Sequence, residues 1–427
     1  MHSTYFDTLR SLSQPIRAAD LPQTLEPMRR LLDALGNPQK NFGAIVVTGS
    51  TGKGTTCLNL AYKFHAQGRK VGLYTSPHLH LFRERFALLV SPDGSSPRNA
   101  EPQNRSRRLI TQREFVEIAQ SVFAAQDSLD HHYSTFESAT AIALLWFAQQ
   151  QIEIAILEIG IGGRFDAVNA VANILAVFTP IEAEHVAMLG GSPESVAWHK
   201  AGIIQPNGKA ITVPQTPEVM AVLEYEAHEK HGTLEVTDDP VEAMGRGDGL
   251  LRKLAGRPYI NHDKDRRSLP GRFEAITVNG RRVIIDGGHT PAAARHLRDF
   301  INEADAESIR FVFGMLRDKN AADTLRVFDA PNVQFVYTQA PSERALSPNE
   351  LLERYTPTQA SVTLVPSLDE ALMQIKTAKE SLYVVAGSLR MAAAAREAYG
   401  LLSAEDLDEA RLTRAIFEGE DYQRKIR

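Results

Sequence analysis

The sequence predicts an α/β fold in two domains, a larger one built on a mostly parallel sheet and a smaller α/β domain after it. Three observations carry this. Short runs rich in Val, Ile and Leu alternate with helix-length segments. A glycine loop, 49–54, stands between the first run and a helix. The alternation breaks down between His228 and Leu269 and then resumes in a different form. At 427 residues the chain has room for two or three domains.

In chain order, the strands of the first domain are residues 44–48, 70–74, 153–158, 174–179 and 209–213. Runs apolar on both faces, separated by helical segments, are how a parallel sheet covered by helices reads. Residues 91–108 are rich in Pro, Ser, Asn and Arg and lie between apolar 86–90 and Leu109-Ile110. That pattern predicts a hairpin with an enlarged solvated tip. The stretch with Asp238, Asp239, Pro240, Gly245, Gly247, Gly249, Gly256 and Pro258 is the predicted boundary, so the first domain is assigned 1–268. The second, 269–402, opens on a hairpin: residues 273–278, the turn Asn279-Gly280, then 281–286. Asn-Gly supplies the positive φ angles of a tight turn. Strands at 309–313, 333–338 and 381–386 follow, alternating with helices. Residues 403–427 mix Glu, Asp and Arg with few apolar residues and read as an exposed terminal helix or a frayed tail without chemistry.

Hydrophobic residues are 43% of the chain and charged ones 23%, ordinary for a globular enzyme. The net charge of -5 argues against a nucleic-acid partner, which needs clustered Lys and Arg. The lone Cys57 forms no intramolecular disulfide, and the first ten residues do not read as a signal peptide, so a cytoplasmic location is expected. The longest apolar run, 139–147, falls short of the ~20 residues that span a bilayer.

The strongest motif is Gly49-Ser50-Thr51-Gly52-Lys53-Gly54-Thr55-Thr56, placed after a strand and opening a helix. This is the context of a phosphate cradle. Glycines admit phosphates to backbone N–H groups, the helix N-terminus is partially positive, Lys53 reaches terminal phosphates and the Thr55 hydroxyl suits Mg²⁺. ATP is the expected ligand. Gly54 separates Lys53 from Thr55, unlike the usual phosphate loop. Glu158 ends a strand before the flexible turn 160–163, where a carboxylate faces a metal ion at the end of such a sheet.

This variant loop resembles that of the Mur ligase superfamily. Further segments resemble its folate branch, the folylpolyglutamate/dihydrofolate synthases: Leu32-Asp33-Ala34-Leu35-Gly36-Asn37-Pro38-Gln39, Tyr74-Thr75-Ser76-Pro77-His78-Leu79, Glu158-Ile159-Gly160-Ile161-Gly162-Gly163-Arg164-Phe165-Asp166-Ala167 and His199-Lys200-Ala201-Gly202. In the second half Leu269-Pro270-Gly271-Arg272-Phe273-Glu274, Ile285-Asp286-Gly287-Gly288-His289-Thr290-Pro291 and Ala386-Gly387-Ser388-Leu389 continue in the same order. The resemblance implies an ATP-dependent ligase that adds L-glutamate to a folate, to dihydropteroate or to both through an acyl phosphate, acting as a monomer with two Mg²⁺ sites. It implies Thr55, Glu158 and His185 as metal ligands, and Lys200 as a carbamylated lysine holding the second metal. It implies Arg272 and Asp286 as nucleotide contacts and His289 as a catalytic residue holding the incoming glutamate. Ser134, Thr135, Phe136 and Glu137, with Phe165, Asp166 and Ala167, resemble the lining of the pteridine site. Phe136 or Phe165 could stack on that ring or belong to the core.

The chain departs from the family pattern in Glu184-His185, His289-Thr290-Pro291 and Ser50-Thr51. It also lacks a clear counterpart, between Val236 and Leu269, of the segment whose asparagine contacts the ATP base; Asn261 is the nearest substitute. Two other readings therefore stand beside the first: a ligase for a non-folate carboxylate, and a non-catalytic nucleotide-binding paralogue.

Overall fold

A computed structural model describes residues 4–13, 23–90, 107–182, 188–243, 268–377 and 379–418. The chain divides into two units, Met1–Arg267 with Glu409–Arg427, and Ser268–Asp408. The first unit holds an eight-stranded sheet of β1 (Gly43–Thr48), β2 (Val71–Tyr74), β3 (Phe86–Leu89), β4 (Arg107–Leu109), β5 (Ile154–Glu158), β6 (Leu175–Phe178), β7 (Lys209–Thr212) and β8 (Thr233–Val236). Their order is β4-β3-β2-β5-β1-β6-β7-β8. From β2 to β8 neighbours run parallel, while β3 and β4 form an antiparallel pair at one edge.

After its first residue β1 is buried throughout, and β5 and β6 are buried along their whole length, which is why all three read as unbroken apolar runs. β1 lies between β5 and β6, with Val47 opposite both Glu158 and Val177. The chain leaves β1 for β2, returns to β5 and only then crosses to β6. The ends of β1, β5 and β6 thus lie side by side, at the kind of reversal where open α/β sheets bind ligands.

The apolar run 139–147 lies inside the helix Thr135–Gln149, which is buried on nearly every side and packs in the first unit's core. Among the described residues no helix is long and apolar enough to cross a membrane. The hairpin expected around 91–108 is present as the β3/β4 pair, though residues 91–106 of its tip lie outside the described residues.

The second unit holds β9 (Glu274–Val278), β10 (Arg281–Ile285), β11 (Ile309–Phe313), β12 (Val333–Tyr337), β13 (Ser361–Leu364) and β14 (Leu382–Ala386), in the order β13-β12-β11-β14-β10-β9. All neighbours are parallel except β9 with β10. Asn279 and Gly280 join these two at φ 51 and 77, the turn that their sequence predicts.

Three expectations need correction. The alternation continues past His228 as far as Ala243, through β8 and the helix Pro240–Ala243; residues 244–267 of the expected boundary lie outside the described residues. β13 was not anticipated; like β8 it is an edge strand without a buried position, exposed at alternate residues where β8 is exposed at most, so it lacks the two-sided apolar signal. The C-terminal segment is a terminal helix with many exposed positions, as one of its two readings had it, but over residues 404–418 it is not frayed and one face of it is buried. It forms the helix Ala404–Glu418, in which Glu409, Ala410 and Thr413 are buried.

Candidate active site

The phosphate loop begins where β1 ends. Gly52 sits at φ 80 with nothing within 4 Å of where a Cβ would stand, so the turn takes a conformation suited to glycine and leaves the loop's face open. The helix Lys53–Ala66 starts on Gly52 without a side-chain cap, so its first N–H groups are left for a ligand. Ser50 anchors the loop sideways: its N–H donates to Pro180 O at 2.7 Å, and its hydroxyl donates to Glu182 O at 3.1 Å. The Thr51 hydroxyl is buried with no hydrogen-bond partner among the described residues, as expected of a group kept for something absent from the chain itself.

Two lysines converge on one carbonyl here. Lys53 Nζ donates to Gly49 O at 3.1 Å and Ser50 O at 3.4 Å, and Lys200 Nζ donates to the same Gly49 O at 2.7 Å. Lys200 lies on the helix Pro193–Ala201 and is 4% exposed, so it is no surface lysine. Two ammonium groups at one carbonyl repel each other, and an arriving anion would relieve this. Glu158, 4% exposed, ends β5 on the strand beside β1, opposite Val47, and its Oε2 accepts the Ser76 N–H at 2.9 Å. Gly54, Thr55 and Thr56 form the first turn of the phosphate-loop helix, and Thr56 N–H donates to Gly52 O. His185 lies outside the described residues.

The loop after Glu158 folds around a carboxylate. Asp166 Oδ2 accepts the N–H groups of Gly160 and Ile161, and its Oδ1 that of Val168. Burial pushes this carboxyl up to about 7, against the pull of those three donors and of nearby Lys200. Ala167 is buried in the short helix Ala167–Ala170 that Asp166 caps. A Cβ on Gly160 would fall 2.8 Å from the ring of Phe136, so only glycine lets that ring approach. Phe136 also packs against Tyr74 at 6.0 Å. Its neighbours serve the helix start: Ser134 and Glu137 form a reciprocal cap on Thr135–Gln149, and the Thr135 hydroxyl donates to Leu12 O. Phe165 meets Trp198 and His199 edge-on at 6.1 and 6.0 Å. His199 is held below the usual histidine range, first by burial and then by Arg164 and Lys200, so it is neutral at pH 7.

In the second unit Asp286 follows β10, and its carboxylate accepts N–H groups from Phe273 at 3.0 Å and Gly288 at 2.7 Å. It binds together the two loops that carry Arg272 and His289. Burial raises this carboxyl, with Arg272 the largest opposing influence. His289 Nδ1 lies 3.3 Å from Gly287 O.

Sequence reasoning missed the supports of these residues. Arg164 N–H donates to His199 O at 2.6 Å, and its guanidinium lies 4.0 Å over Trp198 and bonds Glu226 at 2.7 Å. Lys230 pairs with the same Glu226 and caps the carbonyls of Gly202 and Ile204. This trio, a buried Glu226 between two half-buried cations, fastens the end of the Lys200 helix. In the second unit Arg396 pairs with Glu274, whose other oxygen accepts the Gly271 N–H beside Arg272. Arg164 and Glu274 sit inside recognisable motifs, but Glu226 and Arg396 carry no local signal.

A family profile for the Mur ligase glutamate ligase domain matches residues 271–389. The dihydrofolate synthase/folylpolyglutamate synthase of Escherichia coli is 30% identical over 377 residues, covering 81% of this chain and 84% of that one. A probable bifunctional folylpolyglutamate synthase/dihydropteroate synthase of Haloferax volcanii is 28% identical over 420 residues, and there the chain spans only 48% of the relative's length. Among solved structures, Escherichia coli FolC in complex with DHPP and ADP superposes with a TM-score of 0.75 at 26% identity, covering 93% of this chain and 97% of that one. The bifunctional enzyme of Yersinia pestis with AMPPNP and Mn ion gives 0.75 at 25% identity, covering 93% and 98%.

Proposed function

The chain belongs to the folylpolyglutamate/dihydrofolate synthase family, and from that premise we propose that it is an ATP-dependent ligase joining L-glutamate to a folate, to dihydropteroate or to both. The observation that carries this is the pair of lysines on Gly49 O at an uncapped helix start, with the Glu158 carboxylate on the neighbouring strand. Cations and a metal-binding carboxylate at one strand-end cluster are what transfer of a phosphoryl group to a carboxylate requires.

Amide formation in water is uphill, so the acceptor's carboxylate takes the terminal phosphoryl group of ATP to give an acyl phosphate and ADP. The glutamate amine then displaces phosphate. Lys53 and the bare N–H groups of the helix Lys53–Ala66 hold the phosphates and neutralise charge as it moves. Gly49, Gly52, Gly54 and Thr56 let the backbone close on them. A divalent ion, when bound, would draw charge from the phosphate oxygens; Thr55, Glu158 and His185 are the residues that would hold metal, Thr55 serving the ion that comes with ATP. Lys200 takes part as a carbamate, formed from its neutral amine and CO₂ with loss of a proton.

Arg272 meets phosphate, while Asp286 holds the backbone on which Arg272 and His289 stand, and His289 receives the glutamate. Phe136 and Phe165, with Asp166 and Ala167 shaping their loop, face the flat pterin; Ser134, Thr135 and Glu137 fix the helix start that presents Phe136. The reading takes the chain as a cytoplasmic monomer acting on small molecules, without a nucleic-acid or membrane partner.

The test is phosphate release by purified protein with Mg-ATP and glutamate, comparing dihydropteroate, tetrahydrofolate and no acceptor. Release that depends on a pterin supports the proposal and shows which acceptor is used. Release with neither, in folded protein that binds ATP, overturns it.

A further inference from the structure

We propose that the C-terminal helix is a positioning element for the metal-site carboxylate, because its Glu409 and Phe417 hold the segment 76–85 whose leading N–H orients Glu158. The inference rests on the reading of Glu158 as a ligand of the divalent ion. It gives a task to the part of the chain that its composition marked as an exposed helix or frayed tail without chemistry.

The contacts form a continuous series. Glu409, 4% exposed, receives Arg83 in a fork: Nε at 2.8 and 3.1 Å to its two oxygens, and Nη2 at 2.7 Å. Gln112 Nε2 adds a donor at 2.8 Å. The paired geometry fixes direction as well as distance, so it orients Arg83 more sharply than a point charge would. About two turns further along the helix, Phe417 stacks on Phe82 with centroids 5.1 Å apart and planes 7° from parallel, and meets His78 edge-on at 6.1 Å. Arg85 Nε donates to His78 Nδ1 at 3.1 Å, and its guanidinium lies 5.0 Å from the Phe82 ring centroid. Between these points Glu84 gathers the N–H groups of Leu79, His80 and Leu81. At the head of the segment, Ser76 N–H donates to Glu158 Oε2.

Buried ion pairs give little net stability compared with well-packed apolar side chains, but they select one geometry. Here that geometry belongs to a loop whose first amide aims a metal-binding oxygen. Groups that orient ligands in this way commonly alter metal affinity.

The experiment is calorimetric titration of Mn²⁺ into full-length protein saturated with the ATP analogue AMPPNP, together with AMPPNP titration in the absence of metal. For Phe417→Ala and Glu409→Gln, Mn²⁺ affinity is expected to fall about 10-fold, the lower end for supporting groups around metal ligands. Metal-free AMPPNP affinity stays at the wild-type value, and Phe417→Tyr restores Mn²⁺ binding. Unchanged Mn²⁺ affinity in folded variants overturns the inference, as does an equal loss of both affinities. If Phe417→Ala is unfolded by circular dichroism, Phe417→Leu and Gln112→Ala are titrated against the same two outcomes. Glu158→Gln separates the premise from the inference: if it leaves Mn²⁺ binding intact, the ligand reading fails and the positioning role falls with it. No acceptor is present, so a metal effect in a chain that shows no pterin-dependent phosphate release would retain this inference and overturn the ligase reading.

Discussion

The helix Lys53–Ala66 starts on Gly52 with no side chain over its first N–H groups, whereas Pro291–Asn302 and Leu389–Ala398 start under Thr290 and Ser388, each accepting the N–H three residues on. All three follow a strand and a glycine-containing turn. In the second unit the polar groups there are met from within: the two caps take helix N–H groups, and Asp286 takes those of Phe273 and Gly288. In the first unit the helix start is bare, the Thr51 hydroxyl has no partner among the described residues, and two lysines share one carbonyl. Similar turns are thus finished in one unit by the chain and prepared in the other for an anion.

Replacing the cations of the prepared turn should have the largest effect. Lys53→Ala is expected to lower acceptor-dependent phosphate release by ~10³-fold, as loss of a transition-state cation does. Its melting temperature should stay near that of the wild type, since Nζ touches only loop carbonyls. Lys200→Ala should lose most activity and regain part of it with a small added carboxylic acid; wild-type turnover in that variant would exclude a carbamate role.

Giving the bare helix a cap of its own should come next. Gly52→Asp places a carboxylate where the phosphates belong, and ATP affinity measured by titration is expected to fall ~10-fold, or about 1.4 kcal/mol. Equal affinity would mean that the bare start is not where phosphate sits.

Removing a cap from the finished turns should separate stability from binding. Ser388→Ala is expected to cost about 1 kcal/mol in denaturant unfolding while ATP affinity is unchanged. The smallest effect is in pH dependence. Burial raises the folded Asp286 carboxyl above its unfolded value, so the folded state binds the proton more tightly and this group's contribution falls as pH rises from about 4, the ordinary Asp value. Asp286→Asn should flatten that slope in melting temperature against pH; an unchanged slope would assign it to other groups.

The two turns also show what a sequence can disclose. The phosphate loop was legible because its function is written in local backbone: glycines, a lysine and a hydroxyl within eight residues between a strand and a helix. The central strands were legible because burial on both faces demands unbroken apolar runs, and the hairpin because Asn279-Gly280 needs positive φ. β8 and β13 were not, since a sheet edge exposes alternate or most positions and so resembles a loop. Arg396 and Glu409 were least legible of all. Their burial depends on Glu274 and Arg83, partners 122 and 326 residues away, and nothing adjacent to either residue announces them.

The return of the chain to the first unit at Glu409 also sets a schedule for its synthesis. Arg83 emerges from the ribosome long before Glu409, and at ~5 to 20 residues per second the wait is on the order of tens of seconds. During that time the Phe82 ring and the Arg83 side chain lack their final covering, so the first unit is born with an apolar and charged patch that only later residues can close. Ribosome-bound chains stopped before residue 404 should therefore be cleaved by protease within 76–85, and chains that expose residues 404–418 should resist.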